Sequence, residues 1–101
     1  MAINTMRAFL VYILASRKNG TLYTGVTSDL PRRMWEHREG VHAGFTKRHG
    51  VKRLVYVEDH STAELAIRRE KAIKSWPRRW KIDLIERDNP EWFDLYKRLN
   101  W

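Results

Sequence analysis

"LYTGVTSDLPRRMWEH", residues 22–37, is the stretch in which an apolar strand gives way to a helix. The apolar alternation runs out at Val26 and a helical pattern opens near Asp29. Ser28 or Asp29 can cap that helix, and Pro31 falls in its first turn, where a missing N–H does no harm. A tyrosine, a glycine, two adjacent arginines and a histidine are gathered at this junction. Either this is an ordinary strand-to-helix turn on a basic protein, or it is half of an active site.

The neighbouring segments fix what the junction belongs to. "AFLVYILAS" (8–16) is apolar on both alternating faces, as a central strand covered on both sides would be. Asn19-Gly20 is a hairpin signal, and "TLYTGVT" (21–27) is the returning strand. "SDLPRRMWEHRE" is the first helix, and "GVHAGFTKRHG" (40–50), which holds His42 and His49, reads as a basic loop. "KRLVYVED" (52–59) is a third strand. Ser61-x-x-Glu64 has the form of a capping box opening a helix to about Ser75, which Pro77 ends. "RRWKIDLIER" continues helically, and Asn89-Pro90 opens a last helix, about 90–99, with Trp92, Leu95, Tyr96 and Leu99 on one side. The expected fold is α/β (α+β): a small, mainly antiparallel three-stranded sheet flanked by helices in the order β-β-α-β-α-α. At 101 residues the chain suits one domain, 1–101, with a core over about 8–86.

Composition narrows the function. Twenty Lys+Arg against 12 Asp+Glu give a net charge of +8, and five tryptophans and four tyrosines accompany it. That balance points to a polyanionic partner, nucleic acid before a membrane surface. No obligate protein partner is implied. The chain has no cysteine, which excludes a disulfide framework and a thiolate metal site. No apolar run approaches the ~20 residues that span a bilayer. The N-terminal run "AFLVYILA" reads as a strand rather than a leader, so a cytoplasmic protein is expected.

Periodicity then says which side chains meet. Side chains alternate along a strand. Either the two-residue turn or a six-residue loop (16–21) puts Tyr12 and Tyr23 on one face of the hairpin, with Gly25 and Thr27. Gly25 leaves room on that face for something to approach. On the helix, at 100° per residue, Leu30, Arg33, Met34 and His37 lie within about a quarter-turn of one another. Arg32 and Glu36 lie opposite, as a solvated pair. Arg33 therefore faces the sheet, placed to grip a phosphate with its planar fork or to lie along the edge of the core. The second long helix is less decisive. Glu70 and Arg69 are both flanked by apolar residues, Glu58, Asp59 and Glu64 are rival carboxylates, and periodicity does not choose among them.

Taken in order, Tyr12, "YTG" (23–25), Arg33, His37 and Glu70 resemble the GIY-YIG nuclease family, in particular its small stand-alone bacterial members, over residues 8 to about 86. In that family two hairpin tyrosines, a helix arginine and a metal-binding glutamate form the site. The resemblance puts the first tyrosine at Tyr12, the second at Tyr23 and its glycine at Gly25. The arginine ten residues beyond Tyr23 is Arg33, and the residue four further on is His37. The glutamate, 37 residues after the arginine, is Glu70. Leu10 and Val11 stand where the first motif has its glycine and middle residue, and Ile82 stands where some members have an asparagine. The resemblance implies a metal-dependent endonuclease acting on DNA in preference to RNA. Arg33 would hold the phosphate, Glu70 one Mg²⁺ or Mn²⁺, and Tyr12 or Tyr23 would activate water with His37 as relay. Arg17, Lys18, Arg38, Lys47, Arg48, His49 and Lys52 would track the nucleic-acid backbone, and Trp35 would be a core or a stacking residue. The alternatives are a nucleic-acid-binding module of the same fold that cuts nothing, and a basic accessory protein of the ribosome or of a nucleoprotein complex.

Overall fold

The computed structural model describes residues 9–41 and 44–98. Three antiparallel strands, β1 (Phe9–Ala15), β2 (Leu22–Thr27) and β3 (Arg53–His60), form a sheet in the order β2-β1-β3. The strand that is apolar on both faces is thus the central one, and all seven residues of β1 are at least partly buried. The β1–β2 connection is the six-residue loop. Ser16 N–H donates to the Thr21 carbonyl at 3.0 Å, and Asn19 takes a φ of 62° in the turn that Gly20 closes. Tyr12 pairs with Gly25 and Leu14 with Tyr23, so both tyrosines do share a face.

Each face of the sheet carries its own core. Leu10, Tyr12 and Leu14 of β1 pack with Leu54 of β3, Val51, and Leu30 and Met34 of α1 (Leu30–Glu39). Val11, Ile13 and Ala15 point the other way, onto α3 (Ala63–Ser75) and α4 (Arg78–Asp88) through Ala66, Ile73, Leu84 and Ile85. Helix α1 starts because the Asp29 carboxylate accepts the Arg32 N–H at 3.2 Å. It stops at Gly40, whose φ of 62° suits a residue without a Cβ.

Three expectations are corrected. The stretch read as a basic loop contains a short helix, α2 (Phe45–His49), closed by Gly50 at φ 63°; His42 lies outside the described residues. Helix α3 is capped by Thr62, whose hydroxyl accepts the Leu65 N–H at 3.1 Å, and not by Ser61. Glu64 then falls too early for a capping box and pairs with Arg68. The expected helix over 90–99 is a turn followed by a 3-10 helix, Leu95–Arg98; Leu99 lies outside the described residues. Burial of Trp92 decides this. Its side chain is fully buried, its indole N–H donates to Glu86 at 2.7 Å, and its backbone sits at φ 58°, which no helix accommodates. Asn89 braces the turn, bonding the carbonyls of Val55 and Phe93 and the N–H of Phe93.

The segment after Asn89 works as a strap. Asp94 accepts the Leu54 N–H on the edge strand β3 and pairs with Arg38 of α1, while the Arg38 guanidinium lies 4.0 Å over the Tyr96 ring. Arg38, expected among the phosphate contacts, is thus occupied in fastening α1 to the C-terminal segment. Among the described residues no helix is long and apolar enough to cross a membrane.

Candidate active site

Strand alternation puts Tyr12 and Tyr23 side by side, and the inward face of α1 lays Arg33 and His37 across them. The tyrosine ring centroids are 6.3 Å apart, and the His37 ring meets each of them edge-on, at 5.8 and 5.5 Å. The Tyr12 hydroxyl is 2.9 Å from His37 Nε2, and His37 Nδ1 is 3.2 Å from the Thr46 hydroxyl. Both partners are hydroxyls, able to donate or to accept, so the network sets the ring's rotation and accommodates either tautomer.

The two tyrosines differ in access. Tyr12 is wholly buried, and Tyr23 is only partly so. Burial, and then the neighbouring Tyr23 phenol, push the pKa of Tyr12 well above the ordinary phenol value, while Arg33 pulls the other way. Burial works against the charge of Arg33, but the Tyr12 hydroxyl, Glu36 and Tyr23 outweigh it, so its pKa is raised. Tyr23, Arg33 and His37 line a hollow of about 320 Å³ with Glu36, Gly44, Phe45 and Thr46. A second hollow, about 670 Å³, opens at the β2 edge between α1 and α3 and shares Arg33 and Glu36 as its wall.

Gly25 has a different part from the one expected. A Cβ there would stand 2.5 Å from Tyr12 Cζ and nearer still to the hydroxyl oxygen. The space it leaves is filled by the protein's own tyrosine, not by nucleic acid. The glycine lets the Tyr12 hydroxyl lie across β2 to reach His37.

The adjacent arginines differ in exposure as the helical wheel requires, but the expected solvated Arg32–Glu36 pair is corrected, because the Glu36 side chain is only 15% exposed and lines both hollows beside Arg33. The Arg32 side chain is 76% exposed and that of Arg33 40%, and Glu36 pairs with both, at 3.4 and 3.2 Å. Trp35 is exposed, which removes the core reading, and it lies about 200° around the helix from Arg33. Lys47, Arg48 and His49 stand exposed on α2, beside the smaller hollow, with Lys52 just beyond. Arg17 and Lys18 are at the hairpin tip, where Lys18 pairs with Glu91 at 3.6 Å and Arg78 bonds the carbonyls of Asn19 and Gly20.

Glu70 comes from a different element than the tyrosines and the arginine. It lies on α3, which packs against the opposite face of the sheet, and Lys74 Nζ meets its carboxylate at 2.5 Å. It stands one turn beyond Ile67, which lines the larger hollow. Its side chain is only 12% exposed, and that of Lys74 is half exposed. Among the described residues no three His, Cys, Asp or Glu side chains are grouped to cage an ion. This donor set does not fit a cage built wholly of protein. It fits a hard divalent cation held by one carboxylate and otherwise by water and phosphate oxygens.

Of the rival charges on α3 and β3, Asp59 is exposed, and Glu58 and Arg69 meet each other. Arg69 makes a two-pronged pair with Glu58, at 2.9 and 3.2 Å, and Glu58 also accepts from Tyr56 at 2.6 Å and meets His60 at 2.5 Å. Sequence reasoning missed Thr46 and Phe45. Nothing marks Thr46 in the sequence, whereas Phe45, an aromatic residue amid basic ones, was a signal.

Comparison with known proteins identifies the family. The model of the GIY-YIG catalytic domain matches residues 8–83. A UPF0213 protein of Staphylococcus saprophyticus is 39% identical over 75 residues, 74% of this chain and 90% of that one. One from Staphylococcus epidermidis is 36% identical over 81 residues, 80% of this chain and 98% of that one. The solution NMR structure of a UPF0213 protein from Bacillus halodurans superposes with a TM-score of 0.52 at 36% identity, covering 81% of this chain and 86% of that one. With its strands, its α1 site residues and most of α4 inside the matched span, the chain belongs to the GIY-YIG catalytic domain family.

Proposed function

We propose that the protein is a metal-dependent endonuclease that hydrolyses phosphodiester bonds of nucleic acid, DNA in preference to RNA. The observation that carries this reading is the meeting of Tyr23, Arg33 and His37 around one open hollow, with Tyr12 bonded behind them to His37. Arg33 holds the scissile phosphate and stabilises the charge that grows on its oxygens. Tyr23, the tyrosine that faces the hollow, orients the attacking water. His37 takes up the proton at Nδ1 through the Thr46 hydroxyl, which lines the hollow, in the tautomer whose Nε2–H donates to Tyr12. Glu70 is the residue that would hold the cation, releasing Lys74 to do so. A divalent ion held there would supply Lewis-acid charge to a phosphodiester lying in the larger hollow, which Arg33 walls together with Ile67, one turn before Glu70. Lys47, Arg48 and His49 flank the hollow and track the backbone, and Lys52 extends that track, while Arg38 fastens α1 to Asp94.

The test is cleavage of end-labelled single-stranded, duplex and branched DNA, and of RNA, with Mg²⁺, with Mn²⁺ and with EDTA. Cutting that needs the cation, and that Glu70→Ala abolishes while binding persists, is the expected result. Binding without cutting under every cation would favour a module that holds nucleic acid only.

A further inference from the structure

The aromatic cluster does not end at Tyr23. The Phe45 ring lies nearly parallel to it, at 28° and 6.3 Å between centroids, and the His49 ring follows at 4.5 Å from Phe45. Phe45 is 42% exposed. It stands at the start of α2, the helix that carries Lys47, Arg48 and His49, and it lines the same hollow as Arg33. An apolar ring held open to water beside three basic side chains suits a flat partner attached to negative charge.

We infer that Phe45 is a stacking platform for one unpaired nucleobase adjacent to the phosphate at Arg33. The placement of that phosphate rests on the function proposed above. A base inside a duplex offers its faces to its neighbours in the stack, so a base lying on Phe45 has left the helix. The enzyme's substrate is accordingly a single strand, or the unpaired part of a flap or branched junction. The cationic surroundings favour a nucleotide over an apolar protein side chain as the occupant. Trp35 and Trp80 are also exposed, but Trp35 points away from Arg33, and Trp80 lines a separate shallow hollow with Trp76 and Arg87.

The experiment measures affinity in EDTA, where no cutting occurs, using short fluorescent single-stranded DNA, the same strand in a duplex, and strands carrying one abasic site at successive positions. Phe45→Ala should weaken single-strand binding roughly 5- to 150-fold, the range that loss of one stacked base corresponds to. It should leave duplex binding unchanged, and Phe45→Trp should restore the loss. On the wild-type protein one abasic position should reproduce the loss, and Phe45→Ala should add nothing at that position. Wild-type binding that no abasic position weakens, or a folded Phe45→Ala protein that binds single strands at full strength, overturns the stacking site while leaving the nuclease reading in place. The abasic scan gives this answer even if the variant does not fold. A wild-type protein that neither binds nor cuts nucleic acid overturns both.

Discussion

The Tyr12 hydroxyl and His37 Nε2 stand 2.9 Å apart, one from the central strand and one from the helix that crosses it. This bond joins the two halves of the site, and Thr46 completes it from a third element. Tyr12→Phe removes the hydroxyl but keeps the buried ring. The expected result is a stability loss of about 0.5–1.5 kcal/mol and a fall in cleavage rate. His37→Ala should cost more activity, and the double variant should lose less than the sum of the two, because the two groups act through one bond. Strict additivity in a double-mutant cycle would show that the bond has no part in the reaction.

Gly25→Ala makes a sharper demand. Its methyl group would press on Tyr12 Cζ and the hydroxyl, both inside a packed core. A destabilisation of roughly 1–3 kcal/mol is expected from such overpacking, with activity lost as Tyr12 swings from His37. In a Tyr12→Ala background, where the ring it presses on is gone, Gly25→Ala should cost little further stability, and neither protein should cut. Urea unfolding of the single and double variants checks both statements.

On the far face, Glu58 sets a pH dependence of stability. Burial works to raise its carboxyl, but the Arg69 hydrogen bonds, with those of Tyr56 and His60, outweigh it and hold the group below the ordinary carboxylate value. Its contribution is therefore complete above the unfolded value of about 4.3 and is lost as the pH falls through the folded value. Glu58→Gln should flatten the acid limb of a melting-temperature profile over that window. Parallel acid limbs in the two proteins would contradict the assignment.

Much of this was legible in the sequence, for identifiable reasons. Two-fold alternation placed Tyr12 and Tyr23 together whatever the turn type, and the 100° wheel distinguished Arg33 from Arg32. Both rules depend only on local backbone geometry. What depended on distant contacts was not legible. The C-terminal helix failed because burying Trp92 outweighed a helical pattern. Arg38 looked like any exposed cation until Asp94, far along the chain, came to lie beside it. Gly25 was seen as space, but the occupant of that space, Tyr12, was identified only by the strand register. Glu70 rested on resemblance, and its place on α3, across the sheet from the tyrosines, is a matter of packing.

If one face of α1 does the chemistry, its two adjacent arginines must differ sharply in what their loss costs. Single-turnover cleavage at saturating protein should fall roughly 10²- to 10³-fold in Arg33→Ala, the usual size of a lost transition-state contact. Arg32→Ala, which removes a side chain that is 76% exposed, should stay near the wild-type rate. Circular dichroism should show both variants folded. Equal losses in the two, or an Arg33→Ala protein that cuts at full rate, would contradict the account.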